Sequence, residues 1–307
     1  MRDSRILDDQ LLHAVTQQQS IESIDLLIQD GANVNASLCG VTVLSHAILS
    51  HQCRVVQLLL EAGANVNLKE HYDCTPLMTA CEAGDIVSVK YLIQYGANLD
   101  DTNLFHQSAL WVACKARQDE IAILLIRCGA NIHIKDYQNY SPLMLACQTN
   151  QPGIVRFLLE QGANMFETDQ DGLSAVWYAL RRRTMDLSGL MLLHGADINV
   201  RNSDGQTILM SAVYDDKVDV EFLLRQGADM DVKDLNGNTA LILATENSNH
   251  QLAQLLIRRN ANMLIEDRFG NTCLDIARMN DDIIMTKILR SGISFRIFRV
   301  YLHREGS

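Results

Sequence analysis

A three-residue motif, glycine and alanine followed by asparagine or aspartate, returns along this chain at nearly fixed intervals. It occurs as Gly31-Ala32-Asn33, Gly63-Ala64-Asn65, Gly96-Ala97-Asn98, Gly129-Ala130-Asn131, Gly162-Ala163-Asn164, Gly195-Ala196-Asp197 and Gly227-Ala228-Asp229. The steps are 32, 33, 33, 33, 33 and 32 residues; Asn260-Ala261-Asn262 is a degenerate further copy and Gly292-Ile293-Ser294 closes the series. A single globular enzyme fold has no cause to restate itself at fixed spacing, whereas a stack of equivalent elements must.

Each glycine follows an apolar run of helical spacing, such as VVQLLLEA at 55–62 or IVRFLLEQ at 154–161, and stands where a helix ends in the left-handed conformation. A second, shorter helix is announced by Thr42, Thr75, Ser108, Ser141, Ser174, Thr207, Thr239 and Thr272, whose hydroxyls suit the N-cap. Pro76 and Pro142 follow two of these caps, at the first helical position. About ten residues rich in Asp, Asn and Gly lie between one helix pair and the next cap, which predicts a turn or short hairpin. Gly40, Gly172, Gly205, Gly237 and Gly270 mark that turn. Three repeats carry Asp73, His106 and Asn139 there instead, residues that tolerate a positive φ.

A 33-residue turn, short helix and longer helix, with TPL near one helix start and GAN or GAD after the other, resembles the ankyrin repeat. The resemblance spans roughly residues 8 to 294 as about nine repeats, ending near 35, 67, 100, 133, 166, 199, 231, 264 and 294. It implies an all-α solenoid of helix-turn-helix elements joined by short hairpin loops, running through 1–294 as one continuous array, with 295–307 as a basic tail. The family's TPLH box reads TVLS, TPLM, SALW, SPLM, SAVW, TILM, TALI and TCLD here, without its histidine. The glycine between the two helices survives at Gly84 and is replaced elsewhere by residues such as Asn150, Arg183 and Asp216. The first repeat exposes Gln and Ser on its short helix, as a capping repeat should.

Composition sets the class of partner. Hydrophobic residues make up 48% and charged residues 21%, so a core is expected rather than disorder. The formal charge of −11 argues against a nucleic-acid backbone or an anionic lipid surface, and no direct DNA binding is expected. No apolar run approaches the roughly 18 residues of a spanning helix, and the opening MRDSRILDDQ has no secretory apolar core. The cytosol or nucleus is the expected compartment. Cys81, Cys114 and Cys147 recur 33 residues apart, each after an alanine, and read as small core residues.

Motifs for chemistry are missing: there is no GxGxxG, no GxxxxGK[ST] and no HExxH. The nine histidines fall at different places in the repeat and read as surface or capping residues, so no metal site is expected. Asp169, Asp171, Asp204, Asp234 and Asp267 sit in turns, where aspartate bonds local N–H groups. Neither catalysis nor a cofactor is expected.

The ankyrin resemblance implies partner binding along a concave surface made of turn tips and the exposed side of the short helices. The matching positions include Tyr72, Phe105, Tyr137 and Tyr140 at the tips, and Lys115, Arg181, Arg182 and Tyr214 on the short helices. The expected function is a monomeric scaffold or adaptor for another protein, with aromatic tips supplying energy and Lys115, Arg181 and Arg182 pairing with partner carboxylates. Two alternatives are a receptor for a small phosphorylated or oligonucleotide-like ligand, held by Arg181 and Arg182, and the substrate-recognition subunit of a ubiquitin ligase. The resemblance also implies asparaginyl hydroxylation at Asn35 and Asn67, which stand eight residues after Leu27 and Leu59. Trp111 and Trp177 occupy the same place in repeats two apart and read as seam-filling core rather than groove residues. Ile293, Ile297 and Tyr301 predict a tail that caps the last repeat, with a free basic motif as the alternative.

Overall fold

The hydroxyl caps read from the sequence are where the short helices begin. In the computed structural model, whose described residues are 4–181 and 185–292, the hydroxyls of Thr42, Thr75, Ser108, Ser141, Ser174, Thr239 and Thr272 each accept the N–H three residues on. Each such cap contributes about 1 kcal/mol to a helix too short to persist alone.

The chain divides into two compact units, residues 1–165 and 166–307. The first holds helices α1 (Ser4–Thr16), α2 (Ile21–Gln29), α3 (Val43–Leu49), α4 (Cys53–Glu61), α5 (Pro76–Ala83), α6 (Ile86–Gln94), α7 (Ala109–Lys115), α8 (Asp119–Arg127), α9 (Pro142–Gln148) and α10 (Pro152–Glu160). A two-residue hairpin, β1 (Ser37–Leu38) with β2 (Val41–Thr42), is antiparallel with Ser37 opposite Thr42. The second unit holds α11 (Ala175–Leu180), α12 (Met185–Leu193), α13 (Ile208–Ser211), α14 (Val220–Arg225), α15 (Ala240–Glu246), α16 (His250–Arg258), α17 (Cys273–Met279) and helical residues 283–292.

Within the first unit α3, α5, α7 and α9 form one packed row, and α4, α6, α8 and α10 a second row behind it. Within the second, α13, α15 and α17 pack in sequence, α12 lies on α11 and α16 on α15. The core is the seam between rows: Leu44, Leu77, Leu110 and Leu143 in one unit and Leu209 and Leu241 in the other are at most 2% exposed. Cys81, Cys114 and Cys147 are buried in the same seam as free thiols, and burial pushes the Cys114 thiol up to about 12.

The turn glycines have the backbone their spacing predicts, with φ between 74° and 81°, and Asp73, His106 and Asn139 share it at 59°, 59° and 63°. At Gly172 the reason is steric as well, because a Cβ there would stand 2.5 Å from the Ser203 backbone nitrogen. Between the two helices of a repeat, His51, Arg117, Asn150, Ser248 and Asp281 adopt the left-handed φ of Gly84.

The seventh repeat departs from this pattern. Asp216 is not left-handed, α13 has only four residues, and α14 only six. The Thr207 hydroxyl is buried without a hydrogen-bond partner, so the cap fails here. Asp215 folds its carboxylate onto the Lys217 N–H at 3.0 Å, a local bond that competes with continuing the helix.

Candidate functional site

Side chains on successive hairpin tips meet in the first unit. The Leu104 N–H donates to the Tyr72 carbonyl at 2.8 Å, and the Tyr137 N–H to the Phe105 carbonyl at 3.2 Å, so each tip is bonded to the one before. Inside each tip an Asx side chain holds the turn: Asn103 Oδ1 accepts the N–H groups of Phe105 and Gln107, and Asp136 Oδ1 those of Gln138 and Tyr140. Asp169, Asp234 and Asp267 do the same in the second unit, the role expected of turn aspartates.

This framework leaves large rings in solvent. Tyr72 is 64% exposed, Phe105 48% and Tyr137 57%, and Leu104 stands beside them. The Tyr72 and Phe105 ring centroids are 5.8 Å apart, and His106 lies 4.4 Å from Tyr137. Tyr72 has φ 56°, a left-handed backbone that disfavours its own side chain. A depression of about 390 Å³ beside it is lined by Gly40, Thr42, Lys69, Glu70, His71 and Tyr72, among others. In the second unit Leu235 and Phe269 are also exposed tips, and Arg268 lies 4.7 Å above the Phe269 ring.

The other candidate residues are placed differently. Tyr140 is half-buried next to the Ser141 cap. Lys115 ends α7 in solvent with its Nζ over the Trp111 ring, 5.2 Å from the centroid. Arg181 follows α11 and its Nε donates to Asp215 Oδ2 at 2.5 Å. Burial raises the Asp215 pKa, but the Arg181 bond and the Lys217 N–H outweigh it and hold the carboxyl below its ordinary range. Tyr214 is not on a helix: α13 ends before it, and its exposed ring hydroxyl takes the Asn247 Nδ2–H at 3.3 Å. Arg182 and the tail from residue 293 lie outside the described residues. Trp111 and Trp177 are each 4% exposed, and Met78, Met144 and Met210 at most 2%, so the seam reading holds and neither indole lines the tips.

Asn35 and Asn67 have a structural task that their position in the GAN series did not reveal. Asn35 Oδ1 accepts the Asn65 N–H at 2.7 Å, and Asn67 Oδ1 the Asn98 N–H at 2.8 Å, so each side chain bonds one repeat to the next. Asp100, Asn199 and Asp231 continue this ladder to Asn131, Asp229 and Asn262. His46 departs from the surface reading, since its Nε2 is buried without a partner, and His250 Nε2 pairs with Asp282 at 2.8 Å. Among the described residues no cluster of three or more His, Cys, Asp or Glu is arranged to hold a metal, and no helix is long and apolar enough to cross a membrane.

Comparison with known proteins agrees with this architecture. The family model described as ankyrin repeats, three copies, matches residues 2–70, 67–136, 143–234 and 217–298. The ankyrin repeat domain of Bcl-3, titled a unique member of the IkappaB protein family, is similar with a TM-score of 0.62 and 27% identity. That match covers 71% of this chain and 98% of the Bcl-3 domain. The human ASB11 ankyrin repeat domain is similar with a TM-score of 0.61 and 29% identity, over 70% of this chain and 96% of that one. No curated protein sequence matches the chain at a significant level.

Proposed function

The chain belongs to the ankyrin-repeat family, and from that premise we propose that it is a non-catalytic scaffold that binds another protein through the hairpin tips of its first unit. Repeats of this family serve protein–protein interaction. The observation that carries the reading is the run of exposed rings at Tyr72, Phe105 and Tyr137, on tips whose backbones are already bonded to each other. Preordered aromatic side chains bury much area at small entropic cost, which is why such residues dominate binding energy. Lys115 is proposed as a flanking contact, since it can leave the Trp111 face for a partner group without unfolding a helix, and Arg181 and Tyr214 are proposed as contacts of the second unit taken by itself.

The test is a pull-down with the full chain, quantified against a Tyr72→Ala/Phe105→Ala variant. Both side chains are exposed, so the variant should melt like the parent. Loss of a captured protein on the variant, with an unchanged melt, supports the reading. Equal capture by both proteins removes the tips from the binding surface.

A further inference from the structure

The last repeat turns towards solvent the side that earlier repeats bury. Leu274 stands two residues after the Thr272 cap and is half-buried, whereas Val176, Leu209 and Leu241, at the same place in the earlier repeats of this unit, are at most 1% exposed. Ile283, the first residue of helix 283–292, holds the register from which Cys53 and His250 reach the N-cap aspartate of the following repeat, Asp85 at 3.8 Å and Asp282 at 2.8 Å. Ile283 is instead 68% exposed and Ile284 58%, and Met279 at the end of α17 is exposed as well. A terminal repeat needs a polar outer face to stay in solution, and these residue types are the reverse of one.

The chain continues from a fixed point beside this face. Helix 283–292 ends at Gly292, where a Cβ would stand 2.6 Å from Ile257 Cγ2 and 3.2 Å from Met263 Sδ, so the backbone is held against the eighth repeat. Another 15 residues follow, ISFRIFRVYLHREGS. In earlier repeats the stretch after this glycine carries the Asp, Asn and Gly of a turn; residues 293–302 contain none of these, and seven of the ten are apolar. Such a run suits a covered surface rather than a solvated turn. Helix 283–292 is about 15 Å long at about 1.5 Å per residue, and about 12 of the following residues in helix span about 18 Å. That is enough to return along the helix to Ile283 and Ile284, with residues to spare for the reversal.

We propose that residues 293–307 fold back over the end of their own stack, with Ile297, Phe298 and Tyr301 on one helical face against Leu274, Ile283 and Ile284. The inference stands apart from the docking reading above, since it concerns the second unit alone. Two alternatives for the same face are a second copy of this chain and no cover at all. A segment tethered at Gly292 meets the face at an effective concentration on the order of millimolar, which an untethered copy at ordinary protein concentration does not match. Burying the isoleucines also removes from water a surface on which copies would otherwise stack end to end.

The experiment uses the full chain with a photoreactive amino acid in place of Tyr301. Irradiation, digestion and mass spectrometry should join residue 301 to peptides that contain Leu274 or Ile283. In a mixture of isotope-labelled and unlabelled chains, every such pair should carry one label. Mixed-label pairs overturn the self-cover in favour of a second copy, and an absence of crosslinks to the last repeat overturns it in favour of a free segment. Tryptic cleavage after Arg296 and Arg299 supplies a second readout. Both isoleucines are exposed, so Ile283→Glu/Ile284→Glu should melt like the parent. Its cleavage should be about tenfold faster, because proteolysis follows the population of the open form. Equal cleavage of parent and variant also overturns the proposal.

Discussion

Replacing Trp177 by alanine should break the second unit before the first. Trp177 is 4% exposed in α11, with its N–H capped by Ser174 and neighbours Val176, Ala179 and Leu180 at most 1% exposed. Burying an aromatic side chain removes about 150–250 Å² from water, which at about 25 cal/mol per Å² corresponds to roughly 4–6 kcal/mol. Partial collapse of the site lowers the expected cost to about 3–5 kcal/mol. Stacked repeats are coupled mainly to their neighbours, so the loss should appear as a separate early step. Only two tryptophans exist, so in Trp177→Ala all indole emission comes from Trp111 in the first unit. In urea, far-UV circular dichroism should lose part of its amplitude at lower denaturant than the Trp111 emission shift. Acrylamide, which is uncharged and so indifferent to the net charge of −11, should quench the native parent poorly. A red, readily quenched emission in the native parent, or a variant whose unfolding is unchanged, would refute the buried-seam argument.

Four further outcomes can be measured. Asn67→Ala, which removes the acceptor for the Asn98 N–H and the donor to the Gly96 carbonyl, should cost about 1 kcal/mol in urea unfolding, and Asn67→Asp, which keeps the acceptor, distinctly less. The asparaginyl hydroxylation proposed for Asn35 and Asn67 requires an added oxygen on both peptides after incubation with such a hydroxylase, and unchanged masses dismiss it. Asp282 is held at about 2 against a reference of 3.8, chiefly by the Met285 N–H, with His250 assisting. Its folded pKa is depressed, so its stabilisation is present above about pH 4 and disappears as pH falls towards about 2. The gap in unfolding midpoint between parent and Asp282→Ala should therefore close over that range, and a constant gap contradicts the assignment. Among the thiols, exposed Cys39 and Cys128 should react with a thiol reagent in the native protein, and Cys81, Cys114 and Cys147 only on unfolding.

Most of the architecture was legible because it depends on short-range chemistry that repeats. A hydroxyl cap, a left-handed turn residue and an apolar face each act within a few residues, and their recurrence from repeat to repeat makes each signal redundant. What escaped depends on contacts about one repeat away. The Asx ladder was present in the sequence as Asn35, Asn67 and Asp100 at one register, continued by Asn199 and Asp231. Its acceptors had no visible purpose until Asn65, Asn98 and Asn131 were seen to donate to them. The pairing of Arg181 with Asp215 was hidden for the same reason, since the two are 34 residues apart. The seventh repeat misled because its glycine spacing is shorter by only one residue, yet the deficit falls on helix rather than turn: α13 and α14 both contract. At the tips, residue type identified the aromatic positions, but exposure, ring spacing and the left-handed Tyr72 required the fold.

The claim that the hairpin tips of the first unit are the binding surface is tested most directly by site-specific photocrosslinking. A photoreactive amino acid at Phe105 or Tyr137 should join the chain to its captured partner, while one at Lys90, exposed on α6 in the row behind, should not. Crosslinks from Lys90 with none from Phe105 or Tyr137 would contradict the account.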